Sequence, residues 1–229
     1  MLLYGYGPAI LEGLVLTLQV SALSLAIACV FGMAGAAAKL SGSRAARWSA
    51  DVYTTLIRGM PELVLMLLIF YGGQIAINKI ADAQGWGYID IPPFLAGVLT
   101  IGFIFGAYLT ETFRGAILAV PRGQAEAGAA FAMSPAMVMR RIVLPQMVRH
   151  AIPGFANNWL VMIKASALVS IIGLDDMIHR AGLAAATTRA PFTFYMAVAL
   201  IYLLLTSISI FLLSRLEARY SLGVKKVQF

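Results

Sequence analysis

The sequence predicts an all-α membrane protein, a polytopic bundle of five transmembrane helices built as one domain over residues 1–229. Three observations carry this. The chain is 61% hydrophobic and 12% charged, with mean hydropathy +0.86, where a soluble domain carries roughly 25% charged residues. Five apolar runs each approach the ~20 residues that cross a bilayer. The basic residues behind the net charge of +7 sit in short segments between those runs, which points to a membrane and away from nucleic acid.

The opening Met1–Gly5 has no positive stretch before an apolar one, so no cleaved signal peptide is expected. Gly13 to Ala38 carries no charge and makes the first span. The single cysteine, Cys29, lies within it and reads as a small buried hydrophobe; it excludes an internal disulfide and a thiolate cluster. Thr55 to Asn78 makes the second span, with Arg58 and Glu62 near its start, where Pro61 lacks an amide donor and should kink or break the helix. Gly85-Trp86-Gly87-Tyr88 and Pro92-Pro93 mark the next loop, with the aromatic pair anchored at the interface. Pro92 to Thr110 makes the third span and runs on to Arg114. Its Gly102 and Gly106 form a small-xxx-small pair suited to a close helix contact, a candidate subunit seam. Pro153 to Leu174, interrupted by Lys164, is the fourth span, and Pro191 to Ser214 the fifth.

Positive charge sets the orientation. Lys39, Arg44, Arg47 and Arg58 follow span one; Arg122, Arg140, Arg141 and Arg149 lie between spans three and four; Arg215, Arg219, Lys225 and Lys226 follow span five. The opposite loops hold only Lys79, Arg180 and Arg189, so the N-terminus is expected outside and the C-terminal tail in the cytoplasm.

Ionisable groups inside a membrane are costly and are functional candidates by default. Lys164 sits mid-span, where an unpaired ammonium costs at least about 2.5 kcal/mol; it is either one half of a structural ion pair or a ligand for a substrate carboxylate. Glu62 either pairs with Arg58 at helix spacing or meets a cationic substrate. Glu111 lies three residues before Arg114, the spacing of an internal pair. Asn157 and Asn158 either bridge helices or offer an amide to a cavity. His150 and His179 have no Cys or His at metal-ligand spacing, so no metal site is expected, and Asp175-Asp176 reads as a helix cap or partner contact.

Residues Gln124 to Pro145, QAEAGAAFAMSPAMVMRRIVLP, form a polar and basic stretch between two apolar runs. Its Ala and Met content favours helix. Ser134-Pro135 reads as a stop and restart, with Ser at the N-cap and Pro at the first helical position, and Leu144-Pro145 as the close of the second piece. The expected result is a helical elbow in water, over residues 122–146. No G-x-x-x-x-G-K-[ST] occurs, so the chain itself is not expected to hydrolyse nucleotide or to catalyse a reaction.

This stretch resembles the EAA loop of bacterial ABC importer permeases, Glu-Ala-Ala, then Gly, then Ile-x-Leu-Pro. Glu126 and Ala127 stand in place, Gly128 replaces the third alanine, Ala132 replaces the glycine, and Ile142, Leu144 and Pro145 keep the spacing. Tyr53 to Gly72, YTTLIRGMPELVLMLLIFYG, is similar to the signature of the polar amino-acid permeases, and the likeness continues through LPQMVRHAIPGFANNWLVMIKASALVSIIGL, with Ala165 where relatives often carry an acidic or polar residue. The nearest group in resemblance is the Q-type subunits of importers for histidine, lysine, arginine and ornithine, with the opine permeases beside them.

The resemblance implies the ABC type I importer permease (MetI-like) fold in the bacterial inner membrane, with the N-terminus out. It implies a homologous M-type permease, two ATP-binding subunits that hold ATP and Mg, a periplasmic substrate-binding protein, and a basic amino acid as cargo. The coupling residues it implies are Glu126, Ala127, Gly128, Ala132, Met133, Arg140, Arg141, Leu144 and Pro145, with Glu126 accepting charge-assisted hydrogen bonds from the motor. The substrate-binding candidates are Glu62, Lys164, Ser166, Asn158 and Glu111. An interior carboxylate such as Glu62 suits a guanidinium or ammonium, and Lys164 suits the ligand carboxylate. A secondary transporter working without ATP would share these intramembrane charges but not the elbow.

Overall fold

The computed structural model describes residues 2–220, and among these every regular element is helical. Lys225 and Lys226, counted above for orientation, lie outside the described residues. Five helical segments are long and apolar enough to cross a membrane: Gly7–Leu40, Glu62–Ala83, Pro93–Leu118, Pro135–Ile172 and Pro191–Tyr220.

Helix α1 (Gly7–Leu40) lies along α4 (Pro93–Leu118), the most buried helix of the bundle. Neither is strongly one-sided in hydrophobicity, so the contact is chosen by size. A β-carbon at Gly102 would meet Ile27 Cγ2 at 2.6 Å, and one at Gly32 would meet Leu109 Cβ at 2.6 Å. Gly106 likewise seats Phe31. Close backbone approach through small residues is how spanning helices associate. The Gly102–Gly106 pair therefore serves a seam inside the chain, between α1 and α4, and not the subunit seam the sequence suggested. Ser24 Oγ donates to the Val98 carbonyl at 3.1 Å across it, while Thr17, Ser21 and Thr110 return their hydroxyl protons to carbonyls four residues back.

Helix α2 (Arg44–Gly59) opens on Ser43, whose side chain accepts from Ala46 N. It ends at Met60, extended at φ −114° and ψ 149°, as a residue before proline prefers. Span two therefore begins at Glu62 and not at Thr55. The break anticipated at Pro61 is complete, and α3 (Glu62–Ala83) is a separate helix. Asn78, read from sequence as the end of a span, instead ties the loop between α3 and the next span: its Nδ2 donates to the Ile89 carbonyl at 2.9 Å and its Oδ1 accepts from Ile89 N at 2.8 Å. Gln74 Oε1 accepts from Ile91 N at 3.0 Å.

After α4 come α5 (Arg122–Ala130), α6 (Pro135–Val138), a π-helical segment (Met139–Val143) and α7 (Leu144–Ala165). Leu144-Pro145, expected to close the elbow, instead opens α7. Pro145 cannot donate to the carbonyl four residues back, and the ladder slips one register, with Leu144 N on Met139 O. Span four thus begins well before Pro153, which lies inside α7. The α-helix stops at Ala165 just past Lys164 and continues as a 3₁₀ segment (Ser166–Ile172) that ends on Gly173 at φ 92°.

The other end is closed by α8 (Met177–Thr188), capped by Asp176, whose side chain accepts from His179 N at 2.9 Å. Gly13 lets the start of α8 rest on α1; a β-carbon there would meet Met177 Cα at 2.7 Å. Arg180 reinforces the contact, reaching Glu12 at 2.5 Å and Asp175 at 2.9 Å. Of α9 (Pro191–Tyr220) only Phe194 and Val198 are buried.

Candidate functional site

Two regions carry the polar chemistry. The first is the elbow, where α5 ends in a Schellman turn: Met133 N donates to Gly128 O at 3.1 Å and Ala132 N to Ala129 O at 2.9 Å. That turn puts Ala132 at φ 56°, the left-handed conformation that favours glycine. Ser134 Oγ then accepts from Met137 N and starts α6, as its position before Pro135 predicts.

Gly128 is buried under Ile142 and Val138, and a β-carbon there would stand 2.7 Å from Ile142 Cδ1. Close packing of α5 on the π segment thus explains the glycine at a position where the EAA pattern has alanine. Met133 and Leu144 are half-buried and help hold the elbow together. Glu126, Ala127, Arg140, Arg141 and Pro145 are exposed. Phe131, at the tip, is 83% exposed. Sequence reading passed over Phe131, although one aromatic among alanines in a water-facing loop was the available signal.

The second region gathers the charges near the α1–α2–α4 junction. Lys39 Nζ lies 2.5 Å from Glu111 Oε1 and 2.8 Å from Asp51 Oδ1, and Arg114 lies 2.9 Å from Glu111 Oε2. The i,i+3 pair read from spacing is present, and Lys39 extends it into a network of four. The network lines an open chamber of about 710 Å³ together with Arg58 and Tyr108. Arg58 lies over the Tyr108 ring at 5.6 Å. The break at Pro61 takes it away from Glu62, and no Arg58–Glu62 ion pair forms among the described residues.

Glu62 begins α3 half-buried, with no ion pair of its own among the described residues. Lys164 is exposed near the end of α7 and is likewise unpaired among the described residues. Asn158 is buried; its Nδ2 donates to Thr112 Oγ1 at 3.0 Å and to the Gly154 carbonyl at 2.8 Å, which ties α7 to α4. Ser166 Oγ donates to the Ile163 carbonyl at 2.8 Å. Neither Glu62 nor Lys164 lines the charged chamber. His, Cys, Asp and Glu form no group of three suited to a metal among the described residues.

Comparison with known proteins agrees with this architecture. Residues 17–222 match the family described as binding-protein-dependent transport system inner membrane component. The chain is 50% identical over 225 residues to the histidine/lysine/arginine/ornithine transport system permease protein HisQ of Escherichia coli, covering 98% of this chain and 99% of that one. It is 40% identical over 223 residues to the octopine transport system permease protein OccQ of Rhizobium radiobacter, covering 97% and 94%. A crystal structure of an amino acid ABC transporter with histidines superposes with TM-score 0.80 at 34% identity, covering 93% of this chain and 95% of that one. An all-helical bundle with five membrane-spanning helices, matched to this family over nearly its whole length, has one reading: the chain belongs to the binding-protein-dependent inner membrane components and is a multi-pass permease subunit of an ABC importer, a transport component and not an enzyme.

Proposed function

We propose that this permease carries basic amino acids, such as histidine, lysine, arginine and ornithine, inward across the bacterial inner membrane, driven by ATP hydrolysis on a partner subunit. The relative of known cargo at 50% identity supports the substrate class; the octopine relative, at 40%, supports an opine less well. The observation that carries the coupling half is the elbow: a Schellman-closed helix that exposes Glu126 and Phe131 and is locked through Gly128 to the base of span four.

In this reading residues 1–229 form one permease domain, with the N-terminus outside, the elbow at 122–146 and the C-terminal tail in the cytoplasm. A homologous M-type permease completes the passage, two ATP-binding subunits hold ATP and Mg, and a periplasmic protein delivers the cargo. Glu126 accepts hydrogen bonds from a cation on the motor, Phe131 fills a groove beside it, and Arg140 and Arg141 meet acidic groups. Hydrolysis biases a two-state equilibrium of the permease pair, because the permease has no energy source of its own.

Glu62 and Lys164 form no ion pair among the described residues, and they suit the ends of a basic amino acid: the carboxylate for its side chain, the ammonium for its carboxylate. An exposed lysine within a span is best accommodated against a partner or a wet passage, which supports the face of Lys164 as the side turned to the second permease. Asn158, Ser166 and Glu111 have polar atoms bonded within the chain, and in this reading they shape the passage.

The test separates the two roles in reconstituted importer. Glu126→Ala is expected to reduce uptake per ATP hydrolysed at least tenfold while the subunits still copurify; an unchanged ratio rejects the coupling role. Glu62→Leu is expected to abolish uptake of arginine and lysine, with the hydrolysis stimulated by the liganded binding protein retained; normal uptake rejects the substrate role.

A further inference from the structure

An apolar groove of about 320 Å³ opens between the ends of α1, α4, α7 and α9. Met33, Phe113, Val148, Ile152, Leu216 and Tyr220 are among its walls. Val148, Leu216 and Tyr220 are each at least two-fifths exposed, so the groove is open at its edge.

Its rim is basic. Arg149 follows Val148 and precedes Ile152 by one turn, and its Nε is buried with no hydrogen-bond partner. No carboxylate pairs with Arg149 among the described residues. Arg219 lies one turn after Leu216, in the last turn of α9. Glu217 is on the same helix, but 100° per residue puts it and Arg219 on opposite flanks of the Leu216–Tyr220 line. Arg215 is engaged over the Phe211 ring at 4.8 Å.

We infer that this groove is a binding site for one acidic glycerophospholipid, with an acyl chain lying between α7 and α9 and the phosphate at Arg149 and Arg219. A half-buried arginine whose Nε is enclosed and unpartnered, next to an apolar slot, matches an anion carried on a hydrocarbon chain. Basic pockets between spanning helices at the positive end of a membrane protein hold such headgroups. The lipid covers apolar surface that α9 leaves open and fixes the inner end of that helix against α7.

The test uses the assembled, detergent-solubilised importer, with dioleoyl phosphatidylglycerol, dioleoyl phosphatidylcholine and glycerol 3-phosphate as probes. Bound lipid is read by native mass spectrometry and stability by thermal unfolding. Phosphatidylglycerol is expected to remain bound and raise the unfolding temperature, while the other two do neither. Arg149→Gln is expected to weaken phosphatidylglycerol binding at least tenfold. Val148→Trp fills the slot, keeps Arg149, and should weaken it equally. Equal retention of phosphatidylcholine, an equal effect of glycerol 3-phosphate, or binding unchanged in either variant overturns the inference. Cross-linking of a Val148→Cys variant to another subunit overturns it too, because a protein then covers the groove.

Discussion

Ala132 and Gly128 have exchanged the places a turn would assign them, and each exchange has a cause in its neighbours. Gly128 lies where Ile142 and Val138 leave no room for a side chain. Ala132 holds the left-handed position of the Schellman turn at φ 56°, a conformation that costs a residue with a β-carbon roughly 1–2 kcal/mol. Ala132→Gly is therefore expected to stabilise the elbow by about 1 kcal/mol, less than the full relief because glycine loses more freedom on folding. A higher unfolding temperature of the importer, with uptake per ATP unchanged, is the outcome to look for. At this scale sequence reading succeeds where partners are local. Glu111–Arg114 follows from helical spacing and Ser134 from capping rules. Lys39 was out of reach because 72 residues separate it from Glu111, and Asp51 joins only through Lys39, across the break between α1 and α2.

At the scale of elements, proline decided most boundaries and also caused the misreadings. Proline is as much at home opening a helix as following one. Pro135 opens α6 as read, Pro61 separates α2 from α3, and Pro145 opens α7 where it had been taken to end the elbow. Helix α8 offers a cleaner test, because its cap is a buried acid. Asp176 Oδ1 is bonded to His179 N while Oδ2 has no partner, and burial pushes its carboxyl up to about 6 from 3.8. The folded chain thus holds a proton that the unfolded chain releases at lower pH. Stability is highest below about pH 4 as far as this group is concerned, falls by up to about 3 kcal/mol as pH rises to about 6, and is flat above. Asp176→Asn keeps a good cap and removes the ionisation. It should raise the unfolding temperature at pH 8 and flatten the dependence between pH 4 and 6; an unaltered pH profile would show that another group sets it.

For the whole molecule, the number of spans was legible because hydrocarbon demands length and apolarity, and both are written along the chain. Which helix sits at the centre was not, because α1 and α4 are apolar all round and hydrophobicity cannot then choose a face. The sign that α4 is central was its small residues, Gly97, Gly102, Gly106 and Ala107, all buried. The last helix has the opposite character. Phe194 and Val198, both near its start, are its only buried residues, and Trp159 Nε1 donating to Ser209 Oγ at 3.1 Å is a polar tie further along. Such a helix resembles a late passenger, recruited once its predecessors have closed upon one another. Expressing residues 1–190 and 191–229 as two polypeptides in one cell should therefore restore transport, whereas severing the chain between α1 and α2 should not. The hinge for that experiment is ready-made, at Arg189 with its left-handed φ of 54°.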